Sequence, residues 1–158
     1  MKRVLLSFAG LCAVALGLFL WLAPGIADHR FNTPRPHAPY PVSQQAQKMA
    51  DDLPGVADLH VDTLLWKRNL LKENQRGHVD IPRALAGNMA INFFGVVTKA
   101  PRGQNYDSNS ADSDQITLLV MAQLWPPRTW FSLKERALYQ AQKLDRYARK
   151  SGGALMLV

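Results

Sequence analysis

The sequence predicts an α/β protein in which parallel β/α units follow an apolar N-terminal helix. Three observations carry this. An uncharged, mostly apolar stretch runs from Val4 to Ala23 directly behind Lys2 and Arg3. Short apolar segments at 56–62, 89–97 and 154–158 alternate with segments of helical period, the order from which parallel sheets are built. The run from Met89 to Val97 is nearly continuous in apolar residues, as expected of a strand covered on both faces.

Taken in order, residues 1–27 form a targeting segment, either a signal anchor or a transmembrane helix. About 20 apolar residues at helical rise cross a hydrocarbon core about 30 Å thick. Gly25, Ile26 and Ala27 supply the small residues that a signal peptidase needs, so a cleavable signal peptide competes. The apolar run exceeds the usual signal core of roughly 7–15 residues, which favours an uncleaved anchor. Lys2 and Arg3 set the N-terminus on the cytoplasmic side and everything after Asp28 outside. Residues 28–42 are rich in proline (Pro34, Pro36, Pro39, Pro41) and aperiodic, which predicts an extended spacer. His29 and His37 fall in this spacer and are expected to be solvated.

Residues 43–158 make up the exported domain. Ser43 caps a short helix over Gln44–Leu53, ended by Pro54 and Gly55. Alternation over Val56–Asp62 predicts a strand, and Leu64, Leu65, Leu70 and Leu71 a helical turn or short helix after it. Asp80–Gly87 predicts a short helix with Gly87 at its C-cap. A polar loop occupies Pro101–Asp114, and a helix over Gln115–Leu124 stops at Pro126 and Pro127. Ser132 and Glu135 form a capping box. It opens a helix whose apolar stripe passes through Leu133, Ala137, Ala141, Leu144 and Ala148 to Gly152 and Gly153. Ala154–Val158 predicts a third strand. With no helix to cover it, this strand leads to the expectation of a chain that stops mid-fold, with an open sheet edge that leaves a homo-oligomer open.

A length of 158 residues and a net charge of +7 suit a nucleic-acid binder, a protein drawn to anionic membranes, or an ordinary basic domain. The basic residues from Arg128 to Lys150 alternate around an amphipathic helix, so a solvated outer helix is the preferred reading and nucleic acid is not expected as a partner. Trp125, Trp130 and Phe131 are expected to pack beside Pro126 and Pro127 rather than to stack on bases. The only cysteine, Cys12, lies in the apolar stretch. The domain therefore uses neither disulfide nor thiolate, and any metal must be held by His, Asp and Glu.

His60 and Asp62 stand two apart on a strand, which turns both to one face. At the C-terminal end of such a strand an imidazole and a carboxylate can hold a divalent cation and leave positions open for water. The bland alternative is a surface His beside a carboxylate. His78 and Asp80 repeat the spacing but precede Pro82, so Asp80 is read as a cap and His78 as a surface residue.

The segment Asp58–Leu65, with Asp58, His60 and Asp62, resembles the first-strand Asp-x-His-x-Asp signature of the membrane (renal) dipeptidases. Gly77–Arg83, then Gly87 with Asn88, then Phe93 and Phe94 are similar to the family's next block in order and spacing. Thr98–Gly103 and Trp125–Phe131 look like a bacterial, membrane-anchored branch. The resemblance covers about residues 43–158. Leu59 replaces a smaller residue common in the family, and Thr63 a common Leu; neither change removes a ligand. The resemblance implies a (β/α)₈ barrel of the amidohydrolase superfamily, with these residues as its N-terminal portion, on the periplasmic side of the membrane. It implies dipeptide substrates, two zinc ions, and His60 and Asp62 as ligands of one of them. The bridging Glu and further His ligands of the family have no match here, and no catalytic residue is assigned. The alternative is a non-catalytic, membrane-tethered truncated barrel.

Overall fold

The computed structural model describes residues 2–34 and 41–158; His37, Pro36 and Pro39 lie outside them. Helix α1 (Lys2–Asn32) carries the apolar stretch, whose side chains are exposed from Val4 to Leu22. It is the one helix among the described residues long and apolar enough to cross a membrane. It does not stop at Pro24 and Gly25. Proline removes one helical hydrogen bond and crowds the preceding turn, yet here the helix continues because its last turns are bound to the domain. Asp28 is buried between Arg76 (Nε to Oδ2, 2.9 Å) and Arg68 (Nη1 to Oδ1, 3.1 Å). The Asn32 carbonyl accepts from the Gly77 amide at 2.7 Å. Phe31 lies 6.1 Å from the Trp66 ring. Gly77, at φ +74°, is required here, since a Cβ would collide with the Arg68 guanidinium. The first residues of the expected spacer are thus helical and fastened down.

After α2 (Gln44–Asp51), capped by Ser43 Oγ accepting from the Ala46 amide, strand β1 (Val56–Val61) begins. A 3-10 turn at Thr63–Leu65 and helix α3 (Ile81–Ala86) lead to strand β2 (Met89–Phe94), which pairs with β1 in parallel. This is one crossover unit, as expected from the alternation of patterns. Asp80 caps α3 by accepting from the Arg83 amide, and Gly87 is its C-cap. The left-handed position falls one residue later, at Asn88 (φ 54°), a residue type that tolerates it. Asn88 Nδ2 also donates to the Leu53 carbonyl at 2.9 Å, and its own carbonyl accepts from the Val56 amide.

Two strand expectations are corrected. β2 is not covered on both faces: Ile91 and Phe93 lie 54% and 58% exposed, in an open groove that they line together with Leu144 and the last residues of the chain. Ala154–Val158 is not a strand. Its backbone bonds are local, Ala154 and Leu155 turning back on Ser151, so the tail borders β2 without joining its ladder.

The core lies beside the sheet, where Leu65 and Trp66 meet Ile116 and Val120 of α4 (Ile116–Ala122) and Trp125. Tyr139 of α5 (Leu133–Lys150) packs on Trp125 with ring centroids 4.6 Å apart. Ser132 Oγ accepts from the Glu135 amide to start α5, but the Glu135 carboxylate turns to Arg128 at 3.0 Å, so only half of the capping box closes.

The buried face of α5 overturns another expectation. Leu133 and Ala141 of the apolar stripe are exposed, while Arg136, Gln140 and Lys143 are buried. These three also recur at helical spacing, and their long side chains reach loop backbone that would otherwise lack partners. Arg136 uses all five of its N–H groups. Nε donates to the Thr129 carbonyl, Nη1 to the Thr98 carbonyl and Asp114 Oδ2, and Nη2 to Thr117 Oγ1 and the Trp130 carbonyl. Gln140 bridges the Val97 amide and carbonyl, and Lys143 Nζ donates to the carbonyls of Leu64 and Trp66. The helix is therefore not simply a solvated outer layer. It ties the loop after β2 and the turn after β1 to the core.

Candidate metal centre

β1 and the turn that follows it position the candidate residues. His60 is the penultimate residue of β1, and Asp62 sits just past its end as the cap of the 3-10 turn. Their side chains meet, with His60 Nε2 3.1 Å from Asp62 Oδ2. The pair lies at the C-terminal end of a parallel strand, where parallel sheets place their ligands. His60 is 78% exposed in its side chain and Asp62 39%. The Asp58 carboxylate turns back to accept from the His60 amide at 3.0 Å, which fixes the backbone at the His.

The two oxygens of Asp62 differ. Oδ2 faces the imidazole, whereas Oδ1 is buried with no hydrogen-bond partner. Gly95 makes this possible: its amide donates to the Val61 carbonyl at 2.9 Å, and a Cβ there would collide with Asp62 Oδ1. A second orphaned oxygen, Asn92 Oδ1, lies on β2 at the position paired with Asp58. A buried carboxylate oxygen without a donor is costly. An imidazole and a carboxylate oriented in this way suit one edge of a divalent-cation site, and the donor types suit zinc. Among the described residues no group of three or more His, Cys, Asp or Glu side chains converges. The pair thus fits two positions of a site and leaves the rest to other groups.

The second His and Asp pair does other work. Asp80 is fully buried; it accepts from the Arg83 amide and Nε and from the Asn74 amide at 2.8–3.0 Å, while His78 is exposed. This is the capping role expected from the nearby proline. His29 lies on α1, its ring 3.2 Å from Thr33 Oγ1 and exposed.

Sequence reasoning missed Asp28, Asn92 and Gly95. Asp28 stood out as the one acid close behind the apolar stretch, a signal of a buried partner that the proline-rich segment after it obscured. Asn92 and Gly95 carried no signal, because their roles depend on the strand register. No family model, curated protein or solved structure matches the chain.

Proposed function

We propose that this chain carries the first-strand metal ligands of a membrane-anchored zinc dipeptidase, with the described domain as the opening part of a (β/α)₈ barrel. The observation that carries the reading is the meeting of His60 Nε2 and Asp62 Oδ2 at the end of β1, with Asp62 Oδ1 buried and unpartnered. The resemblance of 58–65 and the later blocks to the membrane dipeptidases supports it. When bound, a zinc pair supplies a water of lowered pKa for attack on a peptide carbonyl. His60 and Asp62 would hold one ion, Asp58 fixes the backbone at His60, and Gly95 leaves the space that Asp62 needs.

The anchor reading is supported by the far end of α1. Gly25, Ile26 and Ala27 lie inside a helix whose neighbours Pro24 and Asp28 are buried in the domain, whereas a protease requires an extended, accessible segment. A non-catalytic, membrane-tethered protein is the second reading, favoured by the two-member donor set among the described residues.

The test is zinc content and dipeptide hydrolysis measured together, in the longest polypeptide that carries this sequence. His60→Ala and Asp62→Ala should lose both, and Gly95→Ala should weaken zinc binding by displacing Asp62. Wild-type turnover in either ligand variant, with zinc content unchanged, overturns the site. Residues 28–158 alone should not hydrolyse dipeptides, since a catalytic zinc generally takes about three protein ligands.

A further inference from the structure

We propose that a basic pocket beside the point where α1 meets the domain binds the phosphate of an anionic lipid headgroup. The pocket, a cavity of about 270 Å³, lies between the end of α4 and the second half of α5. Lys67, Lys143, Arg146 and Lys150 line it, and no Asp or Glu does. None of these four makes an ion pair among the described residues, whereas Arg68, Arg76, Arg83, Arg128, Arg136 and Arg149 each have a carboxylate partner. The other buried cation among the described residues, Arg136, has a carboxylate partner, whereas these four line the pocket without one. Lys143 is buried, and its ammonium gives two of its three N–H groups to the Leu64 and Trp66 carbonyls. A buried ammonium without a carboxylate is costly, and an anion in the pocket would offset that cost.

The position of the pocket names the anion. Gln123 lines the pocket, and its Nε2 donates to the Pro24 carbonyl at 3.2 Å. Pro24 directly follows Ala23, the last residue of the apolar stretch. With Val4–Ala23 across the hydrocarbon core, the pocket falls in the headgroup layer, which extends roughly 5–8 Å beyond that core. Trp125 and Tyr147 line it as well, residue types that favour this layer. Tyr147 Oη donates to the Arg68 carbonyl at 3.1 Å, and Arg68 pairs with Asp28. The pocket wall is thus tied to the end of α1 at two points, and its height relative to the bilayer is set by that helix. A size slightly below the roughly 300–1,000 Å³ of small-molecule sites suits a headgroup rather than a whole lipid. Soluble phosphate shares the chemistry, but lipid phosphate is the form concentrated at this level. The proposal rests on the membrane part of the reading above and is independent of dipeptide hydrolysis.

The test uses the full chain in neutral detergent micelles, read by the fluorescence of Trp125 and its neighbours. It is titrated separately with short-chain phosphatidylglycerol, short-chain phosphatidylcholine, sodium phosphate and a single-stranded oligodeoxynucleotide. A saturable response to phosphatidylglycerol, weaker by at least tenfold for phosphatidylcholine, is expected. Lys67→Gln, Arg146→Gln and Lys150→Gln, all at exposed positions, should each weaken it about fivefold, and the triple variant about a hundredfold. Equal responses to the two lipids, or an unchanged response in the triple variant, would overturn the proposal. Tighter binding of free phosphate or of the oligonucleotide than of phosphatidylglycerol would overturn the lipid assignment. Extraction of the chain from vesicles by alkaline carbonate separates the failures. Retention without headgroup preference sinks this proposal alone, and release sinks the anchor with it.

Discussion

Replacing Arg136 by Met keeps the aliphatic stem and removes all five donors from the centre of the loop network. The Asp114 carboxylate then keeps Thr117 Oγ1, the Ile116 amide and a long contact from the Ala100 amide, and the carbonyls of Thr98, Thr129 and Trp130 lose a donor. Breaking a buried pair by deleting one partner costs about 3–5 kcal/mol. The Arg136 side chain is 1% exposed but that of Asp114 20%, so the surviving carboxylate recovers some hydration and the lower end, about 3 kcal/mol, applies. For a chain of this size that corresponds to roughly 6–12 °C in Tm. Arg136→Lys keeps the charge but offers a single ammonium in place of the fork, and should lose about half as much. The assay is thermal unfolding of the full chain in neutral detergent, followed by the fluorescence of Trp125 and Trp130, which adjoin the network. An Arg136→Met protein melting within about 2 °C of wild type would refute the reasoning. A double variant with Asp114→Asn that is no less stable than Arg136→Met places the cost in the orphaned carboxylate.

Two pH responses follow from the same helix. Partial burial opposes ionisation of Asp114, but hydrogen bonds from Arg136, Thr117 and the Ile116 amide, with the Arg136 charge, outweigh it and hold its pKa below the ordinary value. A depressed carboxylate stabilises fully above its unfolded pKa and loses that contribution as pH falls through the folded one. Wild type should therefore lose stability faster than Asp114→Asn below about pH 4, and parallel acid melts would contradict this. Lys143 responds at the other end of the scale. Burial first, then the charges of Arg68 and Arg146, lower its pKa to about 8. Between that value and the ordinary one the unfolded chain holds a proton that the folded chain has released, so stability rises with pH across this window. The gain relative to Lys143→Met should be about 3 kcal/mol between pH 8 and pH 10.5. A constant difference between the two proteins would show that Lys143 is not desolvated.

The sequence by itself determined the local elements, because their causes are local. The apolar stretch behind Lys2 and Arg3 forms one long helix, Ser43 and Ser132 start helices, Asp80 and Gly87 bracket a third, and alternation marks β1. Parallel pairing of β1 and β2 was legible too, since a helix-bearing segment between two strands returns the chain in the same direction. The contact of His60 with Asp62 was legible for the same reason: residues two apart on an extended chain share a face. Tertiary structure decided what depended on distant partners. Arg68 and Arg76 hold Asp28, the Gly77 amide holds the Asn32 carbonyl and Gln123 the Pro24 carbonyl, and these distant partners carry α1 through Pro24 to Asn32. Two stripes on α5 have helical spacing, one apolar and one of Arg136, Gln140 and Lys143. Periodicity does not choose between them. The polar stripe is buried because loop carbonyls and Asp114, supplied from 64–66 and 97–130, need donors that only long side chains deliver. The orphaned oxygen of Asp62 and the basic pocket beside Pro24 belong to the same class. Each is created by the approach of segments far apart in the chain, and that approach is set by packing.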